Sequence, residues 1–415
     1  MMTLAYSMVL FASLTLAATA TAQTPTWQGR LDRSGDVLCV LNPDTPALPP
    51  ETVVAEELWR LTGDEGDHLL GSVTSIEVGP DGRTHILDFQ QKEVALYDES
   101  GCFLGTMGRE GEGPGEFRRP RDLAIDGDGA VSVLQYFPGR VFRLTADGDP
   151  LPDQPLPLLD GGPIMLWNMA YGPHWLVMHQ YTVEVSDDGG LVTRRALRSV
   201  DADGDPVATY CEREIVRRPG DNIRYEGVYG DFIRDWAVGP TGRVAVRSAF
   251  DRYELTVYEP RGGVERVITR TYERRQRRAQ VVQALQSWQD EHNEGRRWRA
   301  NVGPIVHRVS ECDGDIQEFA MRDDGSIWVL TSRGALDVPP GVMGVFDVLD
   351  NEGRFMRQVT VEGEGDYWTD AFYISADRLF VVTNVGVEVP GWCREGNEDV
   401  EWEDGREVIC YRLGW

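Results

Sequence analysis

The stretch Gly108–Pro120, GREGEGPGEFRRP, decides how the chain is read, because copies of one strand pattern lie on both sides of it. Upstream runs SIEVGPDGRTHILDFQQKEVALYDESG (Ser75–Gly101), and downstream DLAIDGDGAVSVLQYFPGRVFRLTADG (Asp122–Gly148). Each copy is a short apolar run, a Gly/Asp turn, a second run and a further polar turn, the pattern of antiparallel strands. The segment between them is a joint between two repeats. Its glycines allow a bulged turn, Phe117 is placed to fill a gap between units, and Pro120 opens the next strand.

Outward from the joint, the first turn recurs at Gly82 (GPDG), Gly129 (GDG), near Pro173 (YGP), Gly242 (GPTG), Gly325 (RDDG) and Asp377 (SADR). A strand follows each one: THILD, AVSVL, HWLVM, RVAVR, SIWVL and RLFVV. A period of roughly 40 to 50 residues with about four strands per unit is that of a β-propeller blade. Six copies predict an all-β, six-bladed propeller. With Gly111, Gly113, Pro114, Gly115, Glu116, Phe117 and Pro120 in the joint, the chain resembles the secreted bacterial six-bladed β-propellers of the NHL-repeat-like and TolB-like kind, whose blades are linked by a GxGxGPGEFxxP segment. The resemblance spans roughly Thr52 to Leu413. The third copy departs from it by losing its turn glycine, and the sixth by a long loop, Val385–Gly405.

Residues 1–22 contain no Lys, Arg, Asp or Glu, and the apolar run Met8–Ala18 is followed by Ala20-Thr21-Ala22. This predicts a cleaved signal peptide and a periplasmic or secreted protein. The run is well short of the roughly 20 residues of a membrane span. Residues 23–51 form a polar, Pro-rich extension in which Asp36–Leu41 makes an extra strand or clasp, and the propeller occupies 52–415, entered by the strand Thr52–Thr62. Two stretches break the period. Leu191–Asp231, rich in Arg and Glu, predicts an extended hairpin or loop. A helical insertion spans about 272–299, with Val281, Leu285 and Trp288 on one face. That helix either caps one face of the propeller, its arginines paired with carboxylates, or serves as a docking or lid element.

The 68 acidic residues outweigh 41 basic ones, a net charge of −27, which excludes nucleic acid as a partner. A monomer that recognises a protein, peptide or carbohydrate is expected instead. The six cysteines form no CxxC, so neither a zinc knuckle nor a thioredoxin-like site is indicated. Cys393 and Cys410 flank the last loop and are the preferred disulfide pair, while Cys39 in DVLCVL reads equally as a buried thiol.

In a propeller the innermost strands line a channel, so equivalent positions of the repeats form rings. Seven residues before each turn glycine stand Ser75, Asp122, Asp235 and Glu318, with Asn168 and Asp370 supplied by the two irregular copies. One residue earlier the column reads Thr74, Arg121, Trp167, Arg234, Gln317 and Thr369. Carboxylates crowded round an axis repel unless a cation or nearby arginines compensate. Two readings follow. In the first, Asp122, Asp235, Glu318 and Asp370 form an oxygen-lined site for Ca²⁺ or an organic cation, with Asn168 beside them, Arg121 and Arg234 orienting them, and Trp167 or Trp368 as a stacking surface. In the second, Arg121 and Arg234 neutralise Asp122 and Asp235 in salt bridges that hold blades together. The first reading places a ligand-binding module at the channel mouth, or else a metal-assisted, lactonase-like hydrolase or lyase there. No GxSxG, HExxH or Gly-rich phosphate loop supports a catalytic centre, and the six histidines are scattered.

Overall fold

The computed structural model describes residues 26–62, 68–157, 164–218, 223–226, 235–294, 306–385 and 407–413. Six sheets of at least four strands each stand in sequence order round a common axis. Their inner strands are Val73–Val78, Pro120–Ile125, Met165–Tyr171, Trp236–Val238, Ile316–Met321 and Ala371–Ser375, which open blades 1 to 6. The recurrent turn glycine makes each first hairpin possible. Gly82, Gly129, Gly242 and Gly325 all adopt φ near 80°, a left-handed conformation that a Cβ disfavours. Blade 3 replaces this turn by the tighter Gly172–Trp175 closure, and blade 6 by a two-residue turn at Ala376 and Asp377.

Burial is organised by interface. Six apolar clusters each fill one blade–blade boundary, from Leu87, Phe117, Leu123 and Phe142 between blades 1 and 2 round to Ile76, Ile86, Phe380 and Val408 between blades 6 and 1. The joint behaves as its residues predict. Arg109–Glu110 pairs with Glu116–Phe117, the Glu116 carboxylate accepts from Gly113 N at 2.9 Å and Arg109 Nε at 2.8 Å, and Phe117 is fully buried. Gly108 has φ 71°, and a Cβ there would lie 2.5 Å from the Phe117 ring.

The chain ahead of the blades is a strap. Leu38–Asn42 runs parallel to the outer strand of blade 4, with Arg30–Asp32 beyond it, so the stretch expected as an extra strand or clasp is one. Asn42 then ties blade 4 to blade 5, donating from Nδ2 to Gly353 O at 2.9 Å and accepting from Phe355 N at 2.7 Å. The single strand expected over Thr52–Thr62 is two. Glu51–Val54 joins the outer edge of blade 5, and Glu56–Leu61 is the outermost strand of blade 6. Buried Ala55, between them, is where the chain passes from one blade to the next.

Of the extended hairpin and the loop expected from Leu191, the structure holds the hairpin. Leu191–Val200 and Pro206–Arg217 are the two outer strands of blade 3. The true insertion contains the helix Ala279–Glu294, with Leu285 buried and Val281 and Trp288 half-buried on the same side. Three arginines ahead of the helix are paired with carboxylates, which supports the capping reading, while Arg296, Arg297 and Arg299 lie outside the described residues. Arg277, its side chain fully buried, bonds Glu226 at 2.7 and 2.8 Å and Asp313 at 2.6 Å, while Arg274 and Arg275 hold Asp315 and Asp313. A short second helix, Ser332–Leu336, had no signal in the periodicity. Cys39, Cys102, Cys211, Cys312 and Cys410 are free thiols, so Cys410 is not bridged; Cys393 and residues 1–22 lie outside the described residues.

Candidate functional site

The inner strands share one irregularity. The pairing of first and second strands slips between Val73 and Ser75, Pro120 and Asp122, Leu166 and Met169, and Ile316 and Glu318. Thr74, Arg121, Trp167 and Gln317 therefore sit in β-bulges, which leave a residue out of the ladder and re-aim its side chain. The second column read from the sequence is this bulge column. Blade 6 has no slip, and the residues of its inner strand that face onward to blade 1, as Asp122 faces blade 3, are Ala371 and Tyr373, opposite Val382 and Phe380. Asp370 is thus removed from the ring, because the blade 6 turn is shorter than the alignment assumed. It instead caps its own loop, accepting from Asp366 N and Thr369 Oγ1 at 2.8 Å and Asn384 N at 3.1 Å.

The remaining ring residues form a belt from blade to blade. Ser75 donates to Asp122, and Asp122 Oδ2 accepts from Met169 N of blade 3 at 2.8 Å. Asn168 accepts from Trp236 Nε1 of blade 4 at 3.1 Å. Asp235 accepts from Arg247 Nη2 at 2.5 Å, and Arg247 Nη1 reaches Ile316 O of blade 5 at 2.6 Å. Glu318 accepts from Tyr367 OH at 3.4 Å, and Tyr373 OH returns to Val73 O of blade 1 at 3.3 Å. Arg247 pairs with Asp235; Arg234 lies outside the described residues. The ring carboxylates are spoken for by separate donors. Among the described residues no group of three or more His, Cys, Asp or Glu side chains is disposed to hold a metal ion. Trp368 is half-buried against the blade 5–6 core rather than beside Trp167.

Glu77 belongs to this axis and escaped the sequence reading. It stands two residues beyond Ser75, on the same side of the strand, where blades 2 to 5 carry Ala124, Ala170, Ala237 and Ala320. Reading one column further would have exposed the lone acid among alanines. Burial raises its carboxyl to about 7, against the bond from Ser375 Oγ at 2.6 Å and with the Asp122 charge adding to the rise. Burial likewise pushes Asp122 up to about 6, opposed by its bonds from Met169, Ser75 and Leu123 and by Arg121.

The bulges of blades 2 and 3 assemble a second feature at the end of the channel where the inner strands begin. The Arg121 guanidinium lies 3.6 Å from the centre of the Trp167 ring and 5.8 Å from that of Tyr136. Tyr136 meets Trp167 edge-on at 5.3 Å, and its hydroxyl bonds that of Tyr181. Arg195 lies 5.9 Å from the Tyr181 ring. His179 is fully buried below, and burial, then Arg195 and Arg121, depress it to about 3, so it is neutral at pH 7. Arg121, Tyr136, Trp167 and Tyr181 are all half-buried, neither core nor free surface. Tyr136, His179, Tyr181 and Arg195 had no sequence signal, since three of them lie on strands read as irregular.

A family model described as a 6-bladed beta-propeller matches residues 62–171, which hold blades 1 and 2 and the inner strand of blade 3. No curated protein matches the chain. Solved structures similar to it include a DUF4221-family member from Bacteroides vulgatus, at 10% identity and TM-score 0.46 over 86% of this chain and 95% of that one. A gluconolactonase from Xanthomonas campestris has 11% identity and TM-score 0.39 over 82% and 87%. Virginiamycin B lyase from Staphylococcus aureus has 12% identity and TM-score 0.38 over 86% and 98%. Likenesses this distant carry nothing about activity.

Proposed function

We propose that this six-bladed propeller is an exported binding module that takes a small ligand or a peptide or glycan end at the bulged mouth of its channel. The observation that carries the reading is the half-buried cluster of Arg121, Trp167, Tyr136 and Tyr181, built on two adjacent bulges. Aromatic faces beside polar and charged groups suit ligands with a ring and a polar edge. Asp122 and Asn168 serve beneath them as the inter-blade bonds that fix the strands presenting Arg121 and Trp167. Asp235 and Glu318 have the same positioning role on the far side of the ring.

Export rests on the uncharged N-terminal run and its A-x-A end. No helix among the described residues is long and apolar enough to cross a membrane. The test is a panel of peptides and oligosaccharides screened against wild type and Trp167→Ala. Hits at this mouth weaken at least tenfold in the variant. A panel whose hits bind Trp167→Ala and wild type alike sinks the assignment of the site.

A further inference from the structure

A separate cavity of about 120 Å³ opens at the other end of the molecule, where the inner strands of blades 4 and 5 run into their turns. Its floor is apolar: Val257, Ile268 and Ile327 are buried, and Met321 is half-buried beside them. Glycine at 353 keeps the floor low, since a Cβ there would lie 2.5 Å from Ile268. An apolar cavity of roughly 150 Å³ takes a benzene ring, so this one has room for a side chain of about four to six carbons. Exposed Thr241, Asp323 and Asn351 stand at its mouth, which puts the floor within reach of solvent.

The two walls carry opposite charge. On the blade 4 side Arg243 and Arg266 share one carboxylate, Glu265: Arg243 Nε lies 2.7 Å from Oε2, its Nη2 donates to Oε1 at 3.0 Å, and Arg266 bonds that same oxygen. Arg266 is further committed to Asn351 O at 3.2 Å, whereas the Arg243 side chain is 33% exposed and keeps Nη1 outside the pair. On the blade 5 side Asp323 and Asp324 share Arg322, one cation for two carboxylates. Asp324 accepts from Ser326 N at 2.8 Å, which leaves the exposed Asp323 as the anion at the mouth. An apolar acid entering here would meet the aspartates, and an apolar amine would meet the arginines. A zwitterion satisfies one wall with each of its charges.

We infer that the cavity between blades 4 and 5 binds a free apolar amino acid of about the size of leucine, its side chain on the floor, its carboxylate on Arg243 and its ammonium on Asp323. Charge-assisted bonds of this kind fix the head group, and the volume of the floor selects the side chain. The site is independent of the bulged mouth.

The full chain, processed as the cell leaves it, is titrated by calorimetry with leucine, glycine, isocaproate and isoamylamine, the last two being leucine without its amino group and leucine without its carboxyl. Leucine binds saturably, and at least about tenfold more tightly than each of the others. Asp323→Asn and Arg243→Gln each weaken it several-fold, and Asp323→Asn, at an exposed turn position, serves where Arg243→Gln fails to fold. Thr241→Trp, also exposed, fills the mouth and abolishes binding. Leucine that fails to bind, or that binds Asp323→Asn and Thr241→Trp as it binds wild type, overturns the inference. Isocaproate or isoamylamine binding as tightly as leucine overturns it too, because one of the charged walls then plays no part, and glycine matching leucine removes the role of the floor and overturns it likewise.

Discussion

Asp235 separates two roles that a ring of acids suggests, because its neighbour is now known. Its side chain and that of Arg247 are 9% and 11% exposed, and the pair lies between blade 4 and the Ile316 carbonyl of blade 5. Removing one member of a buried pair strands the other charge, at about 3–5 kcal/mol. Asp235→Ala therefore lowers unfolding free energy by about that much in urea, and the double variant with Arg247→Met recovers part of the loss. A ligand carboxylate with no structural duty would change stability by less than about 1 kcal/mol, and that result would return Asp235 to a binding role. Asp122 and Asp235 were legible because a turn glycine at constant spacing aligns their blades. Asp370 was misplaced because its blade turns on Ala376 and Asp377 and so runs out of phase. Glu77 carries no motif: only its column of alanines marks it.

Blade 3 shows at the level of elements what composition alone leaves open. Arginine and glutamate dominate Leu191–Arg217, a composition that allowed either a loop or an extended hairpin, and the stretch is the hairpin. Arg194 meets Glu184 at 2.6 Å and Glu214 at 2.9 Å, and Arg198 meets Glu212 at 3.0 Å, across neighbouring strands. The alternation was there, with Ala208 and Tyr210 buried and Thr209 and Glu212 exposed, but charged partners on the outer face masked it. Exposed pairs of this kind contribute about 0.2–1 kcal/mol each. Arg194→Ala should cost under about 1 kcal/mol by urea denaturation, and a larger loss would show that the ladder holds blade 3 in its sheet. The joint after blade 1 is the contrasting case. Phe117 fills the boundary between blades 1 and 2, and Phe117→Ala should cost about 3–5 kcal/mol, because Gly108 and Phe142 leave the site little room to collapse. A loss under about 1 kcal/mol would show that the joint is a flexible linker.

The whole molecule is a closed ring, and its pH response follows from what the closure buries at the axis. Glu77 is raised from 4.5 to about 7, so the folded state prefers the protonated carboxyl. The stability this contributes is fully present below pH 4.5 and is lost as pH rises through 7, the opposite of an acid held by a salt bridge. The size is at most about 3 kcal/mol. Asp122, raised from 3.8 to about 6, acts in the same direction over a lower window. A net charge of −27 also loosens the ring as pH rises, through general repulsion, so the wild-type slope alone does not identify the source. The difference between wild type and Glu77→Gln does, because the variant keeps the shape and nearly all of the charge but cannot titrate at that position. Thermal midpoints of wild type should fall between about pH 4.5 and 7 more steeply than those of Glu77→Gln, while the two slopes should converge below about pH 4 and above about pH 8. Parallel profiles across about pH 4.5–7 would mean that Glu77 is ionised in the folded ring, with water or a cation reaching it down the channel.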